Sequence, residues 1–310
     1  MAPLRGQARL PVMPRQFAPL VRGRVRTFCC HSATLSGSWP ANSLAAVREC
    51  LAADVARLEV DVRFVADDSM VVFHDRALDG ATTGAGLLAA HSRQSLRPVR
   101  YRGTAEPLCF LEDVVDALAG TETVLQVDLK GLGIYTARQF GLLVEALAPI
   151  RDQVVAGSQA HWNVRPLAAA GIPVALDPTL HWHFSTARTG GDGLSPRSLG
   201  RHGLWDDSPL AQLAGVGTAQ YFAARVEDLL AVIPAVEWMV DVGTLFHIES
   251  LGMRLGDILE ARGVRLAAWT LHDEGEERNA ANLQRLFDLG AEVIITDAPS
   301  TLAELAATLG

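Results

Sequence analysis

The chain is almost without lysine: of its 27 basic residues, 26 are arginine and one is Lys130. On exposed faces the two cations do similar work, so the imbalance reads as a compositional bias. The exception is worth following: an exposed face rarely needs lysine specifically, whereas a site that needs a compact, rotatable ammonium can, and the alternative is that one lysine survives by chance. Cysteine is sparse, with four residues at 29, 30, 50 and 109 and no Cys-x-x-Cys spacing. That pattern argues against a zinc site or a disulfide framework and leaves four small buried hydrophobes. Long apolar runs are missing too. The longest, 229–236, is interrupted by Pro234 and falls far short of the roughly 18 residues that cross a bilayer, so no transmembrane segment is expected. The first 20 residues scatter Arg and Pro where a secretory signal needs an uninterrupted apolar core of about 7 to 15 residues, which points to the cytoplasm. Acids are absent from residues 1–48, which hold seven arginines, leaving 35 acids against 20 bases beyond them. A basic, flexible arm over 1–24 is therefore expected ahead of one domain over 25–310, and the acidic body argues against nucleic acid as a partner.

What is present is a rhythm. Short runs rich in Val, Ile and Leu recur at 25–31, 57–64, 124–130, 154–158, 173–177, 237–242, 264–270 and 292–296. Segments of helical period separate them, at 43–53, 111–119, 136–147, 251–262, 279–289 and 301–309. Eight such strands with intervening helices in 310 residues predict an α/β fold, a (β/α)8 TIM barrel, rather than an open doubly wound sheet. Between 178 and 236 the pattern weakens, and a long βα loop with irregular helices is expected after the fifth strand.

In a barrel the chemistry sits where strands end. The second strand carries Glu59 and Asp61 two residues apart, hence on the same inward face, with Arg63 two further on. The third repeats the device with Gln126, Asp128 and Lys130. Three converging carboxylates describe an oxygen-ligand site for a hard cation, Mg2+ or Ca2+. Taken alone, Glu59 and Asp61 also read as interior acids held by Arg63 or another base. His31 closes the first strand and His74 closes the short run 70–73. Either histidine alone is an ordinary hydrogen-bonded residue; two beside a carboxylate cluster can supply a base and an acid for phosphoryl transfer. His181 and His183 flank Trp182 after the fifth strand. A pocket-lining role suits this pair better than zinc, since no further ligand pattern accompanies it. The acid run 273–277 reads as a solvated turn before a helix.

In order and spacing these residues resemble the glycerophosphodiester phosphodiesterase family, TIM-barrel metal-dependent phosphodiesterases. The opening block HSATLSGSWPANSLAAVRECLAADVARLEVDVRFVADDSMVVFHD, the QVDLK strand, EPLCFLEDVVDAL and the tail AAWTLHDEGEERNAANLQRLFDLGAEVIITDAPSTLAEL carry the likeness over about half the chain. The resemblance implies Glu59, Asp61 and Asp128 as metal ligands, His31 and His74 as general base and acid, Lys130 on the phosphate and Trp269 as a pocket wall. It implies a small phosphodiester as substrate. Departures are specific. The family follows its first His with Arg-Gly, where this chain has Ser32 and Ala33, and has Glu-Asn-Thr where this chain has Ala41, Asn42 and Ser43. The lost Arg removes a bidentate phosphate donor, for which Arg63 is the substitute suggested by strand phase. Asp128 stands where the family commonly has Glu, as in the related sphingomyelinase D type phospholipases. Those carry a disulfide loop after the second His, and no cysteine lies between His74 and Cys109. Phospholipase D type cleavage of lysophospholipids, and a non-catalytic phosphodiester-binding role, stay open at this stage.

Overall fold

A computed structural model of the protein describes residues 16–184 and 199–309. All eight expected strands form, each within two residues of its expected bounds: β1 Thr27–Cys30, β2 Arg57–Phe64, β3 Val124–Leu129, β4 Val154–Ser158, β5 Val174–Leu176, β6 Glu237–Asp241, β7 Arg265–Leu271 and β8 Val293–Thr296. Each pairs in parallel with the next, and β8 returns to β1, so the sheet closes into a (β/α)8 barrel. Burial on both faces explains the near-continuous Val, Ile and Leu of these runs. In β2, Leu58, Val60 and Val62 join the large outer core, while Cys29, Val155, Ala175, Met239, Ala267, Val293 and Ile295 fill the barrel interior. Space there is tight: a Cβ on Gly157 would lie 2.3 Å from Met239 Cε, so β4 needs glycine opposite that methionine. Below this layer the guanidinium of Arg57 meets Glu237 at 2.6 and 3.0 Å and Gln126 at 2.6 Å. All three are buried, and the pairing offsets the cost of holding the Arg57 and Glu237 charges away from water.

The outer helices are α1 Leu44–Ala52, α2 Leu111–Leu118, α3 Ala137–Leu147, α4 His161–Ala169, α5 Thr218–Leu230, α6 Val242–Ser250, α7 Leu255–Glu260, α8 Glu276–Asp288 and α9 Pro299–Thr308. Ser43 caps α1 by accepting from Ala46 N at 3.1 Å. The segment expected as one helix over 251–262 contains only α7. The turn before it closes α6, which starts directly after β6 because Asp241 accepts from Thr244 N at 2.8 Å. Within the expected loop 178–236, α5 is regular, with Tyr221, Phe222, Val226 and Leu229 buried at helical spacing. The rest of that region, where described, is short turns and the ribbon pairing Trp182–His183 with Trp205–Asp206; residues 185–198 lie outside the described residues. A 44-residue insertion over 65–108 follows β2. Its strand Met70–Val72 doubles back antiparallel to β2, and Val71, Phe73, Leu78, Leu88, Leu96 and Tyr101 belong to a separate small core.

Of the arm expected over 1–24, residues 16–24 are described. Leu20–Val21 and Arg24–Val25 form a hairpin, Arg22 pairs with Asp288 at 2.6 Å and Arg24 with Glu260 at 3.0 Å on the outer helices. Residues 1–15 lie outside the described residues. Among the described residues no helix is long and apolar enough to cross a membrane.

Candidate active site

The parallel register sets Asp61 beside Asp128 and Glu59 beside Gln126. Glu59 and Asp61 are buried, and one oxygen from each of Glu59, Asp61 and Asp128 lies within 4.8 Å of the others. Two ligands across an ion with bonds of about 2.3–2.6 Å are at most about 5 Å apart, so the three oxygens fit around one hard cation. Asp61 adds a second sign of fit: among the described residues its buried Oδ1 is met only by the Lys130 ammonium, an ion pair at 2.9 Å, so the oxygen keeps a lone pair for an ion. Lys130 also reaches Asp128 at 2.6 Å, so the one lysine of the chain bridges two of the three acids. Burial, with Asp61 close by, pushes Glu59 up to about 8. Burial presses the same way on Asp61, but Lys130 outweighs it and holds that carboxyl below its ordinary value. Partial burial disfavours the Lys130 ammonium, and Asp128 and Asp61 more than compensate, raising it above the usual lysine range.

The turn after β1 explains how Ser32 fits where the family has Arg. Ser32 and Ala33 adopt left-handed φ of 48° and 55°, a conformation that costs a non-glycine residue of order 1–3 kcal/mol. The acids hold it there: Ser32 N donates to Glu59 at 2.6 Å and Ser32 Oγ to Asp61 at 3.1 Å. Asn42, itself at φ 65°, donates to Asp61 Oδ2 at 2.7 Å and accepts from Asp61 N at 2.9 Å. Ser32 and Asn42 thus orient the carboxylate pair.

His31 opens the same turn, its Nδ1 2.6 Å from Asp297 Oδ1. Burial disfavours its charged form, but the Asp297 hydrogen bond and the nearby Glu59 and Asp61 charges prevail, and its pKa is raised. His74 closes the run 70–73, as expected, and that run lies antiparallel to β2. Phe73 N donates to Asp61 O at 2.9 Å, and His74 Nδ1 is 2.9 Å from Asp75. Arg63 donates from Nε to the His74 carbonyl at 2.8 Å, tying the histidine's backbone to β2. Trp269 lies on β7 opposite Asp241, with its buried Nε1 lacking a hydrogen-bond partner among the described residues.

Two residues at the mouth escaped the sequence reading as site candidates, Asp297 and His272. Asp297 follows β8 and accepts from His31 at one oxygen; its other oxygen lies 2.9 Å from His272 Nδ1, and His272 follows β7. Their signal was the one used for His31, a polar residue directly after a barrel strand. Asp177, at the end of β5, is buried, which pushes its carboxyl up to about 6. His181 Nε2 meets His161 Nδ1 at 2.9 Å and its Nδ1 meets Asp207 at 2.5 Å; the His183 side chain lies outside the described residues. A cavity of about 490 Å³ opens at the other end of the barrel, between Ala18, Arg57, Glu122, Arg151, Arg265 and Glu292. It holds none of these residues, and barrel active sites lie at the opposite face.

The closed barrel and the acid cluster define a class, barrels whose mouth gathers carboxylates that could hold a divalent cation, beside histidines. Residues 34–301 match the model of the Glycerophosphoryl diester phosphodiesterase family, and the chain belongs to that family. The match takes in Glu59, Asp61, His74, Asp128, Lys130, Trp269 and Asp297 and begins three residues after His31. No curated protein sequence matches. Solved structures share the fold. A glycerophosphodiester phosphodiesterase from Parabacteroides distasonis aligns with TM-score 0.62 at 13% identity over 91% of this chain and 97% of that one. Another, from Thermotoga maritima, gives 0.61 at 15% over 90% and 98%. An Oleispira antarctica phosphodiesterase in complex with the product sn-glycerol-3-phosphate gives 0.59 at 14% over 90% and 96%.

Proposed function

We propose that the protein hydrolyses glycerophosphodiesters to an alcohol and glycerol phosphate, with a divalent ion, Mg2+ or Ca2+, held by Glu59, Asp61 and Asp128. The observation that carries the reading is the three-carboxylate cluster facing His31, whose Nδ1 is fixed by Asp297. When bound there, the ion would supply charge neutralisation for the phosphate. With Nδ1 donating to the Asp297 carboxylate, His31 keeps its lone pair on Nε2 and takes the proton of the attacking group, either water, which gives glycerol phosphate directly, or the hydroxyl on the substrate's neighbouring carbon, which gives a cyclic phosphate that water then opens. His74, anchored by Arg63, returns a proton to the departing alkoxide. Lys130 has three N–H donors; with two turned to Asp61 and Asp128, the third serves a phosphate oxygen. Trp269 walls the pocket and offers its free indole N–H.

The product found with the Oleispira antarctica enzyme supports glycerol phosphate as the shared half of the substrate. The Nη donors of Arg63 take the phosphate role that Ser32 cannot. The test is turnover of glycerophosphocholine by His31→Ala and His74→Ala, each expected to fall about 10²- to 10⁴-fold with divalent-ion binding retained. Full turnover in either variant removes that histidine from the mechanism. A lysophosphatidic acid product from a lysophospholipid, with glycerophosphocholine untouched, would replace this reading by phospholipase D type cleavage.

A further inference from the structure

Two imidazoles share one carboxylate where β7, β8 and β1 end side by side. His31 Nδ1 is 2.6 Å from Asp297 Oδ1 and His272 Nδ1 is 2.9 Å from Asp297 Oδ2. An ionised carboxylate only accepts, so both rings donate from Nδ1 and both keep Nε2 for other work. Asp297 is not wedged in place: its side chain is 43% exposed, and the carboxylate torsion of aspartate is intrinsically broad. Its orientation toward His31 therefore depends on what holds its second oxygen. Among the described residues that holder is His272, whose own side chain is 68% exposed and buried in no core.

We propose that His272 is a positioning residue: by occupying Oδ2 it keeps Oδ1 of Asp297 on His31 and so fixes His31 as the tautomer with a free Nε2. This rests on the reading of His31 as the base. The strand order makes the device possible, since three consecutive barrel strands deliver the three side chains in sequence. His272 contributes a hydrogen bond that orients, and touches neither substrate nor ion.

The experiment is a double-mutant cycle read by kinetics and by 15N NMR of histidine in the metal-free protein at alkaline pH. His272→Ala is expected to lower kcat about 10-fold, well short of the 10²- to 10⁴-fold lost with the base itself, with KM little changed. In an Asp297→Ala background the same substitution should lower kcat no further. His272→Asn places an amide N–H where Nδ1 stood and lacks Nε2, so it should restore most of kcat. The 15N signals should show His31 protonated at Nδ1 in the wild type and in His272→Asn, and a tautomer mixture in His272→Ala. Multiplicative losses in the cycle, no rescue by Asn, or an unchanged His31 tautomer in His272→Ala would each overturn the proposal. A shifted tautomer with unchanged turnover would uphold the positioning and instead remove His31 as the base.

Discussion

Replacing Lys130 by Met tests how the acid cluster is held together. The ammonium is 2.9 Å from Asp61 and 2.6 Å from Asp128, and its side chain is 24% exposed. Removing one partner of a buried ion pair costs about 3–5 kcal/mol. The residual exposure places this case at the lower end, and about 3 kcal/mol in a chain of this size lowers Tm by roughly 5 °C. The loss should depend on divalent ions. Without Nζ the carboxylates bind a cation more tightly, and an ion at 100 times its Kd returns about 2.7 kcal/mol. Calorimetric melts with and without Mg2+ or Ca2+ should therefore show a destabilised metal-free variant that recovers most of its Tm with the ion, more than the wild type gains. Recovered stability should not bring recovered turnover, because the proposed phosphate donor is gone. Lys130→Arg sharpens the point: its planar fork does not reproduce a point charge between two carboxylates, and kcat should fall. A Met variant with unchanged Tm that also ignores divalent ions would refute the reasoning.

The Glu59 carboxyl, pushed up to about 8 by burial and Asp61, makes ion binding pH-dependent. Below that value the folded protein carries a proton there that an ion must displace, so affinity should rise about tenfold per pH unit up to 8 and then level off, as measured by titration calorimetry in buffers of different ionisation heat. Metal-free stability depends on pH in the opposite direction. Between the ordinary glutamate range and 8 the folded state binds more protons than the unfolded one at this group, so its contribution falls as pH rises; Tm scans across that window check it, and a contribution that rises would contradict it. Asn42→Ala removes two hydrogen bonds to Asp61, one of them charge-assisted, and should destabilise by about 2–3 kcal/mol while weakening ion affinity. Denaturant melts and ion titration read both.

The barrel was legible because each strand is a compact β-branched or aliphatic run buried on both faces, and because period 2 in RLEVDVRF sorted Glu59 and Asp61 from Leu58, Val60 and Val62 without knowledge of neighbours. Asp128 and Lys130 followed by the same phase argument. The helices α4 and α5 were less visible, since α4 carries Pro166 and polar residues and the apolar face of α5 is interleaved with Arg225, Glu227 and Asp228. The route of His74 depended on a hairpin that period alone does not announce. Asp297 and His272 were missed for another reason: a carboxylate linking two histidines 266 and 25 residues away exists only once β8 has closed on β1. Ser32 looked like a loss in the sequence; in the fold its hydroxyl and amide serve Asp61 and Glu59.

The central claim, an ion-dependent hydrolysis of glycerophosphodiesters at this mouth, is tested most directly by quantifying glycerol phosphate released from glycerophosphocholine before chelation, after exhaustive chelation and after return of Mg2+ or Ca2+. Turnover should vanish with the chelator, return with the ion and stay absent in Asp61→Asn. Undiminished release in the chelated protein would contradict it.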